Sequence, residues 1–492
     1  MISDKSSYRQ IIKATSLFGG VQVINVLISI AKSKIAALLI GVSGFGIFGL
    51  LTSTLNLILG ITRLGLDVSA VKEIAATNHN SDNVSKLVTI TNRLTFYSGI
   101  AGALISLVFS PWLSSFIFGN ENYALFFAII SITILFNQLT TGNIAILQGL
   151  KHLNSLAKVS VITSFFSLFP TILFYYFLGE KGIPWVILFS GLFGFLISKV
   201  FVDKLRIKRV SISFQKFLSE SKNMLNLGFM LSLASLSGIL IAYLIQIYIT
   251  KEGSIKEVGF YNAGFGLIHS YVVVFFNALS KDYFPRLAEA EKDPVVINKM
   301  VNQQASMSVL FLTPIIILFL GFKSVLITLL YSKEFLPVLG MVTFGIVAIV
   351  FKAVSWSMGF VIIVKGNSKL YLITELASNI ILFSLVILGY RVFGLTGAGV
   401  GYLLYHIIDF FIVKLVVTKV YSFYFDKKFK KLFTLCVLEC FVMLLINQIE
   451  SQVLKYFLLV SLILFSTIFT IIKLNQYTGL FDVFRKKRKS KM

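Results

Sequence analysis

The sequence predicts an all-α polytopic membrane protein of about fourteen transmembrane helices, built as two six-helix bundles in parallel repeat followed by two further helices. Three observations predict it. Of the 492 residues, 57% are hydrophobic, against roughly 45–50% in soluble domains, and the mean hydropathy is +0.87. Apolar runs of the length a helix needs to cross a bilayer core, about 20 residues, recur from one end to the other. They are continuous, unlike the short alternating segments of a membrane β-barrel. Finally, short matches recur at one shared offset: GFGIFG (44–49) with GFYNAG (259–264), Asp67 with Asp282, Phe136-Asn137 with Phe351-Lys352, and GEKG (179–182) with GLTG (394–397). A common offset at four places indicates internal duplication.

The first span is expected at 13–40. It follows a polar start, MISDKSSYRQIIK, and no small-residue cleavage site comes after it, so it reads as a retained span rather than a signal peptide. The next five are expected at 44–66, 88–110, 123–148, 155–178 and 183–203, then six more at 223–250, 258–281, 303–322, 336–364, 370–389 and 394–418. The last two fall at 431–448 and 453–473. Six spans separate the repeated segments, an even number, so the copies run parallel about an axis along the membrane normal. The expected units are residues 1–212, 213–425 and 426–492, with substrate binding between the two bundles near the bilayer midplane.

An even span count puts both termini on one side. With the N terminus inside, the inner segments hold most of the 45 Lys and Arg, including KVFVDKLRIKR (199–209), DKKFKK (426–431) and RKKRKSK (485–491). Cytoplasmic loops carry such an excess, so both termini are expected in the cytoplasm. The basic tail then serves as an orientation signal that attracts anionic headgroups, and the net charge of +24 implies no nucleic-acid partner. Cys436 and Cys440 share one helix face at a spacing awkward for a disulfide and read as small packing residues. His79, His152, His269 and His406 show no ligand spacing, so neither a metal nor another cofactor is expected. The chain contains no G-x-x-x-x-G-K-[ST] phosphate loop and no G-x-S-x-G nucleophile elbow. These absences exclude the nucleotide-driven and hydrolytic classes that use them. The two-fold repeat favours a transporter over an enzyme.

Several segments resemble the polysaccharide flippases of the MOP superfamily, the O-antigen translocases. They are AKSKIAALLIGVSGFGIFGLL (31–51), RLGLDVSAVKEIA (63–75), YFPRLAEA (283–290) and the turns LGEKGIPW and FGLTGAGVGY. The resemblance implies a MATE-like fold in the bacterial inner membrane. It implies an undecaprenyl-diphosphate-linked oligosaccharide as substrate, moved from inner to outer leaflet by alternating access. A proton or sodium ion is implied as coupling ion and a polysaccharide polymerase as partner. Another exporter of the superfamily, for lipid II or drugs, is the alternative; drug exporters commonly stop at twelve spans. The resemblance also implies a basic residue facing the cavity nine residues before the glycine that ends the first helix, which is Lys32 before Gly41.

The candidate substrate residues are Lys32, Lys34, Arg63, Asn137 and Lys352; the candidate gating or ion-coupling residues are Asp67, Asp282, Glu375 and Asp409. Lys32 and Lys34 lie in the outer part of span one, from which a lysine could also snorkel to the headgroups. Arg63 and Asp67, four apart, are expected on one helix face at the inner end of span two, where an ion pair could gate the cavity or simply satisfy itself. Glu375 opens span eleven within the membrane, where carboxylates often mark ion paths. Asp409 is expected near the inner interface beside Lys414. His269 and His406 read as packed polar residues. Lys352 is the one charged residue from 336 to 364, too far from either end to snorkel, so it should face protein or water. Either it pairs with Glu375 or it binds diphosphate or an acidic sugar, with its repeat mate Asn137 suited to sugar hydroxyls.

Overall fold

A computed structural model describes residues 4–63, 65–77, 81–208 and 210–478. The chain begins with α1 (Asp4–Leu39), α2 (Gly41–Arg63) and α3 (Leu66–Ala76). They are followed by α4 (Ser81–Val108), α5 (Ser110–Phe118), α6 (Ala124–Gly149), α7 (Leu153–Phe166), α8 (Leu168–Leu178), α9 (Ile183–Asp203), α10 (Phe214–Glu252) and α11 (Ile255–Glu289). The remaining helices are α12 (Pro294–Leu330), α13 (Leu339–Val364), α14 (Ser368–Tyr421), α15 (Lys427–Ile446) and α16 (Gln452–Thr478).

Nine helical stretches among the described residues are long and apolar enough to cross a membrane, or ten if the pair α4–α5, bent by 60°, counts as one span. Pro111 in the first turn of α5 suits that bend, because proline lacks the N–H an unbroken helix would need. Two of the nine stretches, Leu153–Asp203 and Ser368–Tyr421, run 51 and 54 residues. At about 1.5 Å per residue each exceeds twice the roughly 30 Å hydrocarbon core, so each holds two of the expected spans. α11 and α15 stand where the eighth and thirteenth spans are expected. The chain is a multi-pass helical membrane protein.

The chain forms two compact units, Met1–Ala263 with Leu330–Phe335, and Gly264–Leu329 with Leu336–Met492. This division follows spatial proximity, whereas the 1–212 and 213–425 units follow the sequence repeat.

In the first unit, polar side chains on one helix find partners on another, as apolar surroundings require. Gln138 on α6 donates to Thr62 Oγ1 on α2 at 2.9 Å, and Asn143 on α6 donates to Ser198 Oγ on α9 at 3.0 Å. Gln246 on α10 donates to Ser53 Oγ at 2.8 Å. In the second unit, Asn298 and Asn302 on α12 are buried and hold the connection from α14 to α15. Their amide oxygens accept from the backbone N–H groups of Tyr424 and Asp426 at 3.1 and 3.0 Å. Asp426 then caps α15 by accepting from Phe429 N–H at 2.6 Å. Backbone groups that no helix satisfies are thereby paired. Cys436 and Cys440 are free and buried on α15.

α14 folds back on itself. Phe393 and Gly394 leave helical geometry, Gly394 with φ 57°, a region that glycine enters without steric penalty. The two limbs then pack backbone to backbone: a Cβ added at Gly397 would sit 1.9 Å from the Gly389 carbonyl oxygen. Close helix approach through small residues is how membrane helices gain packing energy. Gly397→Val is therefore expected to lower the amount of folded protein, overpacking being worth about 1–3 kcal/mol or more. Detergent-extracted protein on size exclusion should show a reduced monodisperse peak.

Candidate functional site

Two polar constellations stand out, one in each unit. In the first unit a cavity of about 530 Å³ lies among α1, α2, α6, α7, α8 and α9. Lys32 and Asn137 both line it, together with Asn25, Thr163, Ser164 and Ser167, and among the described residues its lining contains no Asp or Glu. The Lys32 ammonium donates to Ser167 Oγ at 3.1 Å, and Asn25 Nδ2 donates to Ser160 Oγ at 2.8 Å. Asn25 Oδ1 and the hydroxyls of Thr133, Thr163 and Ser190 are buried without a protein hydrogen-bond partner, although all four residues line the cavity. Buried polar atoms normally find partners, so this lining has hydrogen-bonding capacity left for whatever fills the cavity. One cation amid hydroxyls and amides, with no acid to neutralise it, is chemistry for phosphate oxygens and sugar hydroxyls.

Lys34, two residues on, is engaged differently. Its ammonium donates to the backbone carbonyl of Tyr331, whose ring packs with Phe45 and Phe335 at centroid distances of 5.5 and 5.1 Å. Lys34 does not line the cavity.

In the second unit, Lys352 projects from α13 into its own helix bundle. It is partly buried, and its charge lies within electrostatic reach of His269 on α11 and of His406 and Asp409 on α14. Asp409 accepts from the Ser378 hydroxyl at 2.8 Å across the two limbs of α14. Glu375, one turn before Ser378, has Tyr371 within hydrogen-bonding reach and Asp409 as its charged neighbour. Both ring nitrogens of His406 and Nδ1 of His269 are buried without a partner. The rings of Tyr402 and Tyr405 lie 4.6 Å from that of His406.

One expectation about this group is corrected. Lys352 does not pair with Glu375: among the described residues neither carboxylate lies within 4.0 Å of it, and Asp409 is the carboxylate that acts on it. The Lys414 ammonium sits 5.9 Å from the Phe410 ring centroid. Asp409 turns inward to the first limb of α14, because it lies two turns of helix from Tyr402 and shares its inward face.

Arg63 and Asp67 do approach, at 3.7 Å with both side chains part-exposed. They do not share one continuous helix. α2 stops at Arg63, Gly65 has φ 66°, and α3 begins at Leu66, so Asp67 opens α3 rather than closing α2. A carboxylate in a first turn is favoured by the helix dipole. Arg63 Nε is buried without a partner. The Asp282 side chain lies outside the described residues, within α11. The sequence reading missed Thr163, Ser164 and Ser167 of the cavity and the membership of His269 and His406 in the Lys352 group. The histidines carried a usable signal, since each sits near the middle of its expected span, at the depth of Lys352.

A family model described as polysaccharide biosynthesis protein matches residues 35–340, more than half of the chain. The chain belongs to this family. A Shigella flexneri protein assigned as an O-antigen transporter is 21% identical over 419 residues, covering 83% of this chain and 97% of the relative. The fold of this polysaccharide biosynthesis family member is similar to those of solved membrane transporters. The lipid II flippase MurJ, solved in an inward closed conformation, aligns with a TM-score of 0.68 at 14% identity, covering 94% of this chain and 99% of that one. An inward-facing multidrug resistance MATE transporter aligns with a TM-score of 0.64 at 14% identity, covering 85% and 95%. These structural neighbours are transporters and flippases, not enzymes.

Proposed function

We propose that the protein moves undecaprenyl-diphosphate-linked oligosaccharide units across the bacterial inner membrane by alternating access, with both termini in the cytoplasm. The observation that carries the reading is the acid-free cavity of the first unit, where Lys32 and Asn137 meet a ring of hydroxyls in a member of the polysaccharide biosynthesis family. The cation suits the diphosphate and the neutral groups suit sugar hydroxyls. The likeness to an O-antigen transporter supports the saccharide, and the basic inner segments support the orientation. The test is deletion of the gene followed by leaflet-resolved assay of lipid-linked repeat units. They should accumulate on the cytoplasmic leaflet and be released by re-expression. Normal export in the deletion strain would refute the proposal.

Coupling is proposed for Glu375 and Asp409, with a proton or sodium ion as the driving ion. Two carboxylates close enough to feel each other, with hydroxyls at hand, form a group whose charge state one cation can change. Glu375→Gln is expected to leave export insensitive to the ion gradient in proteoliposomes. Loss of export with unchanged gradient dependence would remove Glu375 from this role.

Arg63 and Asp67 are proposed as gate residues at the glycine break between α2 and α3. Since part-exposed ion pairs are worth about 0–1 kcal/mol, Arg63→Ala should insert normally and reduce export only several-fold. Full export by that variant would exclude Arg63.

A further inference from the structure

The first unit contains a second and larger cleft, of about 820 Å³, framed by α4, α6, α9 and the segment that follows α9. It is separate from the Lys32 cavity, and the two share no lining residue. Among the described residues, four cations surround it, Arg93, Lys199, Arg206 and Lys208, against the single carboxylate of Asp203. Lys199 sits at the end of the apolar stretch Leu153–Asp203, the level at which a span leaves the hydrocarbon. Beside these charges stand Phe96 and Tyr97 of α4, 44% and 50% exposed. The cleft therefore has a cationic end and an aromatic, exposed wall leading from it along a membrane helix.

The cleft is built rather than incidental. The Arg93 guanidinium donates to the Ile212 carbonyl at 2.7 Å, fixing the segment that closes one side. Arg206 has φ 51°, a left-handed conformation uncommon for a residue with a side chain. That turn brings Arg206 and Lys208 to the same cleft as Arg93. In the second unit, the counterparts at the 215-residue offset of Val88, Thr89 and Asn92 are Gln303, Gln304 and Met307, which line another cleft. There the chain's own Lys428 and Tyr477 complete the wall.

We propose that this cleft binds the headgroup of an anionic phospholipid of the adjoining leaflet, its phosphate held by Lys199, Arg206 and Lys208 and its acyl chains lying along Phe96 and Tyr97. Charge complementarity selects an anion, and basic pockets between membrane helices suit phospholipid headgroups. The aromatic wall selects a lipid over a free anion, because a soluble phosphate would leave that wall unused. The proposal does not depend on the transported substrate.

The test compares the native protein with the variant Lys199→Gln/Arg206→Gln/Lys208→Gln; Arg93, which holds the backbone, is kept. Native mass spectrometry of detergent-purified protein should show retained phosphatidylglycerol or cardiolipin on the native chain, and at least tenfold weaker retention on the variant. In nanodiscs, adding phosphatidylglycerol to phosphatidylcholine should raise the melting temperature of the native protein and not that of the variant. Equal retention by both proteins would overturn the proposal. So would protection of the native protein by inorganic pyrophosphate but not by phosphatidylglycerol, which would make the cleft a diphosphate site. If the triple variant does not fold, Phe96→Ala/Tyr97→Ala provides the second arm: unchanged lipid retention there would equally overturn it.

Discussion

Lys352→Ala is expected to abolish export or reduce it at least tenfold, without lowering the amount of protein in the membrane, and Lys352→Arg to retain part of it. The asymmetry between function and level follows from position. A cation near the centre of a membrane helix costs roughly 2.5–3.5 kcal/mol on insertion scales, so removing it relieves an insertion penalty. Leaving a partner unpaired would offset that gain, but among the described residues no ion pair closes on Lys352, and Asp409 keeps its bond from Ser378. What alanine removes is the positive field over His269, His406 and Asp409. Arginine keeps the charge but spreads it over a planar fork. The measurement is export of repeat units per molecule of membrane-inserted protein. Normal export by Lys352→Ala would show that the lysine has no part in transport.

Lys32→Ala is expected to lower export at least tenfold, with Lys34→Ala lowering the protein level instead. Both are lysines of α1, two residues apart, yet the first reaches into an acid-free cavity and the second holds the Tyr331 carbonyl beside a cluster of three aromatic rings. A charge-assisted hydrogen bond is worth about 1.5–3 kcal/mol, enough at the position of Lys34 to show as reduced thermal stability in detergent. At Lys32 the same deletion removes the one cation from the cavity lining. Asn137→Ala should produce a smaller loss of export, since it removes a neutral donor and acceptor. If Lys32→Ala and Lys34→Ala behave alike, the distinction fails.

The membrane class, the helical architecture and the approximate positions of the helices could be read from hydropathy, because hydrophobic run length is set by bilayer thickness and by little else. Lys352 could be singled out as the one charge within an apolar run, Asn137 as its repeat mate, and Lys32 by the resemblance. Partners were harder to read. Which carboxylate faces Lys352 depends on helix rotation and on where α14 folds back, and those are fixed by Gly394 and the glycine packing beyond it. The break at Gly65 was hidden because a residue with left-handed φ leaves Arg63 and Asp67 four apart in sequence, the same spacing a continuous helix would give. Serines and threonines such as Ser167 are unremarkable in sequence, since in membrane helices they also bond their own backbone, as Ser167 does to the Ser164 carbonyl.

The fold-back of α14 also bears on how the chain enters the bilayer. Ser378 and Asp409 lie on opposite limbs of one helical hairpin whose connection is a sharp turn at Phe393–Gly394. The aspartate therefore meets its hydrogen-bond donor within a single contiguous segment, without waiting for other helices to arrive. A lone aspartate at the centre of an isolated span would carry an insertion penalty of roughly 2.5–3.5 kcal/mol by itself. Delivered as a pair of limbs pressed together at Gly389 and Gly397, the two spans shield that carboxylate from lipid as they leave the translocation machinery. The hairpin thus carries within one segment both its aspartate and the hydroxyl that satisfies it.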